Sequence, residues 1–135
     1  MKLIHKIEDS HEVYGFKGHS PFIFSCEHAS NRIPAPLRPS ASDKDFLKTH
    51  WAWDIGVRKL VMRLCDEMKS ISVHARFSRL VCDANRNPNR SDLIKPSLEG
   101  KLLHFNQDVD EVEAAARIDA YHEPYHQALN QVIAD

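Results

Sequence analysis

The apolar run Pro21-Phe22-Ile23-Phe24 passes directly into the polar segment Ser25-Cys26-Glu27-His28-Ala29-Ser30-Asn31-Arg32-Ile33-Pro34. So short an apolar run reads as a buried strand over 21–26. His28 then falls in the loop just past the strand's carboxyl end. Open α/β sheets place their ligand sites there, and a histidine on that lip can hold a metal or move a proton. The layout recurs at Arg79-Leu80-Val81-Cys82-Asp83-Ala84-Asn85-Arg86. There Leu80-Val81-Cys82 reads as a second short strand that delivers an acid, an amide and a guanidinium. Two polar clusters at strand ends point to one small-molecule site built from both.

The rest of the chain supports a layered α/β arrangement. Residues 1–20 alternate polar and apolar positions around Gly15 and Gly18, which predicts a strand or hairpin. Pro34, Pro36 and Pro39 make 32–42 a loop, and Ser42-Asp43-Lys44-Asp45 reads as the start of a short helix. From Asp54 to Ser70, Val57, Val61, Leu64 and Met68 recur at helical spacing, with Leu60 widening the stripe. Burying five such side chains is worth about 1.5–3 kcal/mol each before entropy, which favours docking on a sheet. Ile71-Ser72-Val73-His74-Ala75 reads as a strand. Residues 86–100, with Pro88, Pro96 and Gly100, read as a long loop of the kind that often carries function. A last helical stretch, 109–133, can place Ala115, Ile118, Tyr121, Tyr125, Leu129 and Val132 on one face, with a kink or restart at Glu123-Pro124. Alternating strands and helices argue for a layered α/β fold.

Composition narrows the partners. At 135 residues the chain holds one modest domain, 1–135, with a real core. A formal charge of -1 provides no field to attract nucleic acid or an anionic membrane. No apolar run approaches the ~20 residues that span a bilayer, and the amino terminus is a poor secretory signal. The three cysteines, Cys26, Cys65 and Cys82, are widely spaced and fit reduced, cytoplasmic thiols better than a disulfide framework.

Each cluster has a plain reading and a chemical one. His28 can cap a backbone group or ligate zinc through a neutral imidazole, but one histidine is not a site, because open zinc sites take about three protein ligands. Asp54 immediately precedes a helix, where aspartate is a preferred N-cap, and a cap can also face a site. His50, Trp51 and Trp53 can line a pocket wall or simply pack. Arg79, Asp83, Asn85 and Arg86 look like a carboxylate clamp: arginine grips a carboxylate with two prongs, and Asp83 can orient Arg86 or a histidine. Cys26 ends a buried strand, where thiols are usually inert. Arg86-Asn87-Pro88-Asn89-Arg90 is too short, and too poor in aromatics, for an RNA patch.

Three segments together, Ser25 to Pro34, His50-Trp51-Ala52-Trp53-Asp54-Ile55-Gly56 and Ser78 to Arg86, resemble the N-formylglutamate amidohydrolase family, as does Arg117-Ile118 through Tyr121-His122-Glu123-Pro124-Tyr125-His126. The resemblance runs in the family's order over nearly the whole chain. It implies a three-layer phosphorylase/hydrolase-like fold, similar to zinc exopeptidases and aspartoacylases, with a mixed central sheet. It also implies a zinc-dependent amidohydrolase of amino-acid catabolism that releases formate from an N-acylated acidic amino acid. His28 then matches the first metal ligand. Asn31 stands where related zinc exopeptidases carry a glutamate ligand, and Asp54 is the substitute and the catalytic candidate. Asp83-Ala84-Asn85-Arg86 resembles the Asp-x-Asn-Arg element that engages a substrate carboxylate, with Arg79 a second anionic contact.

Family members are roughly twice as long, and their later half should supply a further metal ligand. The resemblance therefore implies a fold truncated at the C-terminus. Two other functions remain open at this level: a catalytically inactive homologue that binds small carboxylates, and a chain stable only beside a partner or a second copy, as a homo-oligomer.

Overall fold

A computed structural model describes residues 1–135. Strands β1 (Leu3–Ile7) and β2 (His11–Phe16) form an antiparallel hairpin, and β2 pairs antiparallel with β4 (Ile71–Ala75). Strand β3 (Ile23–Cys26) lies parallel to β4, so the sheet runs β1-β2-β4-β3 and is mixed. Register sets the two faces. Tyr14, Ser72 and Phe24 are neighbours across the strands, as are Glu12, His74 and Cys26, and all six point to one face because side chains alternate along a strand.

Helix α2 (Val57–Met68) covers that face, packing Val61 and Cys65 against Cys26 and Ala29. The opposite face carries Val13, Val73 and Ala75. Helix α4 (Glu123–Ala134) covers it with Tyr125, Leu129 and Val132. Helix α1 (Ala41–Phe46) starts from Ser40, whose hydroxyl accepts from the Asp43 N–H while the Asp43 carboxylate accepts from the Ser40 N–H, a reciprocal cap. Two short strands, β5 (Ser97–Leu98) and β6 (Lys101–Leu102), pair on their own and interrupt what the sequence reads as loop.

Several boundaries differ from the sequence reading for identifiable reasons. The predicted helix over 54–70 begins at Val57, capped by Gly56 in the left-handed region at φ 84°, so Asp54 is not the N-cap. Its expected stripe of five is only partly buried: Val61 is in the core, while Leu60 is 58% and Met68 39% exposed. Arg58 and Asp66 bond Glu12 and Tyr14 of β2, which turns the Leu60–Met68 flank past the free edge of β3. On that edge Phe22 and Ile23 are also exposed. Leu80-Val81-Cys82 is a buried turn, not a strand: the Val81 N–H reaches Ser78 O, and the carbonyls of Leu80 and Val81 accept from Asn106 Nδ2 and Arg117 Nη1. Side chains do there what a neighbouring strand would otherwise do.

In the final helical stretch, α3 (Glu111–Arg117) leads into a π turn over Ile118–His122, closed by the Glu123 N–H on Ile118 O, and Pro124 sits in the first turn of α4. Of the expected kink or restart at Glu123-Pro124, the structure takes the restart: α4 begins at Glu123 after the π turn, where a proline without an N–H is tolerated. Ala115 faces solvent and Arg117 is buried instead.

Buried polar groups make the fold sensitive to acid. His74 is fully buried between β2 and β3, with Nε2 bonded to Ser72 Oγ at 2.8 Å and Nδ1 without a partner. Burial pushes its pKa from 6.5 down to about 4. The unfolded chain therefore takes up this proton before the folded one does. Stability is complete above pH 6.5 and drains as pH falls towards 4, by roughly 3 kcal/mol in full. Urea denaturation at a series of pH values measures this loss, and His74→Gln should flatten the slope between pH 6.5 and 4.5. Close approach imposes a second constraint: a Cβ on Gly15 would lie 2.1 Å from Ser70 O, at a φ of +131°. Gly15→Ala should cost at least about 2 kcal/mol in the same experiment.

Candidate functional site

Because β3 and β4 are parallel, their carboxyl ends lie side by side. His28 follows β3. The chain beyond β4 folds back through a buried turn to place Asp83 beside it. His28 Nε2 is 2.6 Å from Asp83 Oδ1, and the Asn85 N–H donates to the same oxygen at 2.9 Å. Asp83 Oδ2 accepts from Arg86 Nε at 3.1 Å and Arg79 Nη2 at 3.2 Å. The two polar clusters thus meet at one buried carboxylate. Burial alone would raise its pKa. The hydrogen bonds from His28 and the Asn85 N–H, with the Arg79 charge, outweigh that and hold the carboxyl well below the usual range.

An ionised carboxylate can only accept hydrogen bonds, so Nε2 of the neutral His28 ring carries the proton and Nδ1 keeps its lone pair. Nδ1 faces Asp54 Oδ2 at 3.6 Å, and the Asp54 side chain is 53% exposed. The Asp54 N–H donates to His28 O at 2.9 Å, which ties the two loops together. The basic nitrogen of His28 therefore lies on the more open side, beside a second acid.

Arg86 is also held by Asp92 through Nη1, and Asp92 is gripped in turn by Arg90. Nη2 of Arg86 and Nε and Nη1 of Arg79 have no protein partner. A small cavity of about 110 Å³ beside Arg79 and Asp83 is walled by His50, Trp51 and Lys95. The Asn85 side chain is exposed and lines a separate opening with Arg86, His122 and His126. Asn31 is elsewhere: its Nδ2 donates to Leu47 O at 2.8 Å, and it lines a cavity with Arg32, Trp53 and Arg58. Cys26 is buried, and burial pushes its thiol up to about 12, so it stays protonated.

Three participants carry little sequence signal. Asp92 fixes Arg86 from within the long loop. His122 and His126, stacked with centroids 4.7 Å apart, donate from Nε2 to Arg86 O and Ala84 O, both at 2.8 Å, and pin the Asp83–Arg86 segment. In the sequence both histidines lie in the Tyr121–His126 segment that carries part of the family resemblance, with no role assigned to either. As for a metal, no three His, Cys, Asp or Glu side chains stand close enough together to hold one. His28 and Asp54 are a pair of donors, and an open zinc site takes three. These residues alone do not fit the ion.

Comparison with known proteins follows the same outline. A family model described as N-formylglutamate amidohydrolase matches residues 20–135. A crystallised gene product of Agrobacterium tumefaciens shares 34% identity and a TM-score of 0.80 over 94% of this chain and 50% of its own. An N-formylglutamate amidohydrolase from Ralstonia eutropha shares the fold at 18% identity and a TM-score of 0.69, over 94% of this chain and 51% of its own. The chain thus spans about half the length of each of these structures. No match was found among curated proteins.

Asp83→Asn removes the charge that His28, Arg79 and Arg86 all meet. Leaving two guanidiniums without their buried partner should lower unfolding free energy by about 3 kcal/mol, measured by urea denaturation at pH 7.

Proposed function

The chain belongs to the N-formylglutamate amidohydrolase family, and on that premise we propose that it serves the hydrolysis of an N-formyl, or related N-acyl, amide on an acidic amino acid such as N-formylglutamate. One observation carries the reading: His28 and two arginines converge on a single buried carboxylate. Asp83 fixes the imidazole so that Nδ1 is the nitrogen that takes a proton from the attacking water and passes it to the departing amine. Asp54 Oδ2 lies 3.6 Å from Nδ1, on the side where that proton would arrive. The unpartnered N–H groups of Arg79 and Arg86 suit the carboxylates of the substrate and would hold its amide in place. Asn85 borders the same opening as Arg86.

Zinc belongs to this reading only with a third donor from beyond these residues. The one free lone pair of His28, on Nδ1, can go to zinc or to a proton but not to both; with zinc bound, His28 and Asp54 would be the two ligands that this chain offers and the proton transfer would fall to another group, while Asn31 is spent on Leu47 O. The zinc exopeptidase-like relationship and a continuation of the fold beyond these residues rest on the same proposal, supported by the half-length match to the solved structures.

The test is release of formate from N-formylglutamate with zinc supplied. His28→Ala should lower the rate at least about 100-fold, and Arg86→Gln should raise KM more than it lowers kcat. Turnover that persists in His28→Ala would sink the reading. A second reading, a carboxylate-binding module without turnover, is favoured by the shortfall of metal donors. Calorimetry separates the two: glutamate binding that ignores chelators, with no formate released, supports the binding module.

A further inference from the structure

A cavity of about 320 Å³ lies apart from the Asp83 cluster, at the same end of the sheet. It is lined by Arg32, Arg58 and Arg76, with Glu12 as its one acid, and by Trp53 and Ile7. The three guanidiniums are positioned by the fold. Arg58 grips Glu12 with Nε and Nη2 at 2.7 and 2.8 Å, and His5 also meets that carboxylate. Arg32 is tied to the carbonyls of Arg76 and Asp9, and Arg76 to the carbonyl of Glu8. These bonds leave Nη1 of Arg32, Nη1 of Arg58 and Nη2 of Arg76 without a protein partner.

The positive charge is in excess. Glu12 offsets Arg58, and Asp9, the acid beside Arg32, is 71% exposed and screened by water. No carboxylate lies within ion-pair distance of Arg76. Trp53 lines the same cavity with part of its ring, so its indole N–H signal can report what enters. Arg58 also belongs to the first turn of α2, an end that no side chain caps, and the positive end of a helix adds to the attraction for an anion.

We infer that this cavity is an anion site for a small doubly charged oxyanion, held by the guanidiniums of Arg32, Arg58 and Arg76 beside Trp53 and distinct from the His28–Asp83 cluster. The chemistry is shared by phosphate and by compact dicarboxylates. Guanidinium donors suit both, and the volume excludes anything much larger than a small metabolite.

The chain has two tryptophans, so two indole N–H resonances report, and Trp53→Phe identifies which belongs to residue 53. Inorganic phosphate and succinate are titrated separately at constant ionic strength, with sodium chloride as control. A saturating shift of the Trp53 signal with either anion is expected, and which anion binds more tightly identifies the source. Arg76→Gln should weaken binding at least tenfold. Because Arg76 also holds Glu8 O, a second variant guards against misfolding: Ile7→Glu, at a position 56% exposed, places a carboxylate at the cavity and should abolish the shift. Arg86→Gln should leave it intact. No shift with either anion, a shift matched by chloride, or a shift that survives both Arg76→Gln and Ile7→Glu would overturn the assignment.

Discussion

One ionised carboxylate, buried where β3 and β4 end, organises the site. Asp83 accepts four hydrogen bonds, from His28, the Asn85 N–H, Arg79 and Arg86. A carboxylate this far from water is tolerable only with such partners. The requirement works in both directions: the same four bonds that satisfy Asp83 fix the ring of His28, its tautomer and the reach of both arginines. The chemistry available at the lip is thus a by-product of solving a burial problem.

Holding Asp83 in place requires a rigid support that is not a strand. The turn that carries it is packed against Tyr121 and Tyr125, and its carbonyls are met by Arg117, Asn106, His122 and His126. Arg117 is itself buried and bonds Asn106 Oδ1 at 2.6 Å as well as Val81 O. The final helical stretch therefore does more than cover the sheet. Its polar side chains replace a missing strand partner, and the π turn at Ile118–His122 sets the phase of Tyr125 and His126 on α4 relative to Arg117 on α3.

Much of this was legible in the sequence where a period or a short apolar run determined it. β4, the body of α2 and the Tyr121–Tyr125–Leu129–Val132 face follow from spacing alone; β3 follows in place but not in burial, since the run read as a buried strand over 21–26 is the edge strand Ile23–Cys26 with Ile23 exposed. His28, Asp54, Asp83 and Arg86 could be picked out as chemistry-bearing residues past apolar runs. Leu80-Val81-Cys82 was misread because a buried turn and a buried strand present the same apolar run, and only distant side chains decide between them. Asp54 read as a cap because nothing local reveals that Gly56 takes the left-handed position instead. Leu60 read as core because periodicity gives the width of an apolar stripe, not where the sheet beneath it stops. Asn31 stood at a ligand position only through the family resemblance, and its bond to Leu47 O joins two loops that the sequence could not pair.

The pieces of the site are not equally complete, and the sheet explains which are. The His28–Asp83 contact lies on the β4 side of β3, where the fold is closed and the partner groups are buried. Asp54, beside Nδ1, is half in solvent, and the far edge of β3 is paired by no strand. A strand with helices on both faces and nothing on one edge has the surroundings of an interior strand on one side only. The His28–Asp83 contact and the guanidiniums need only the closed side, so they are fully assembled here. A metal at Nδ1 of His28 would need donors from the open side, and there these residues supply a single acid.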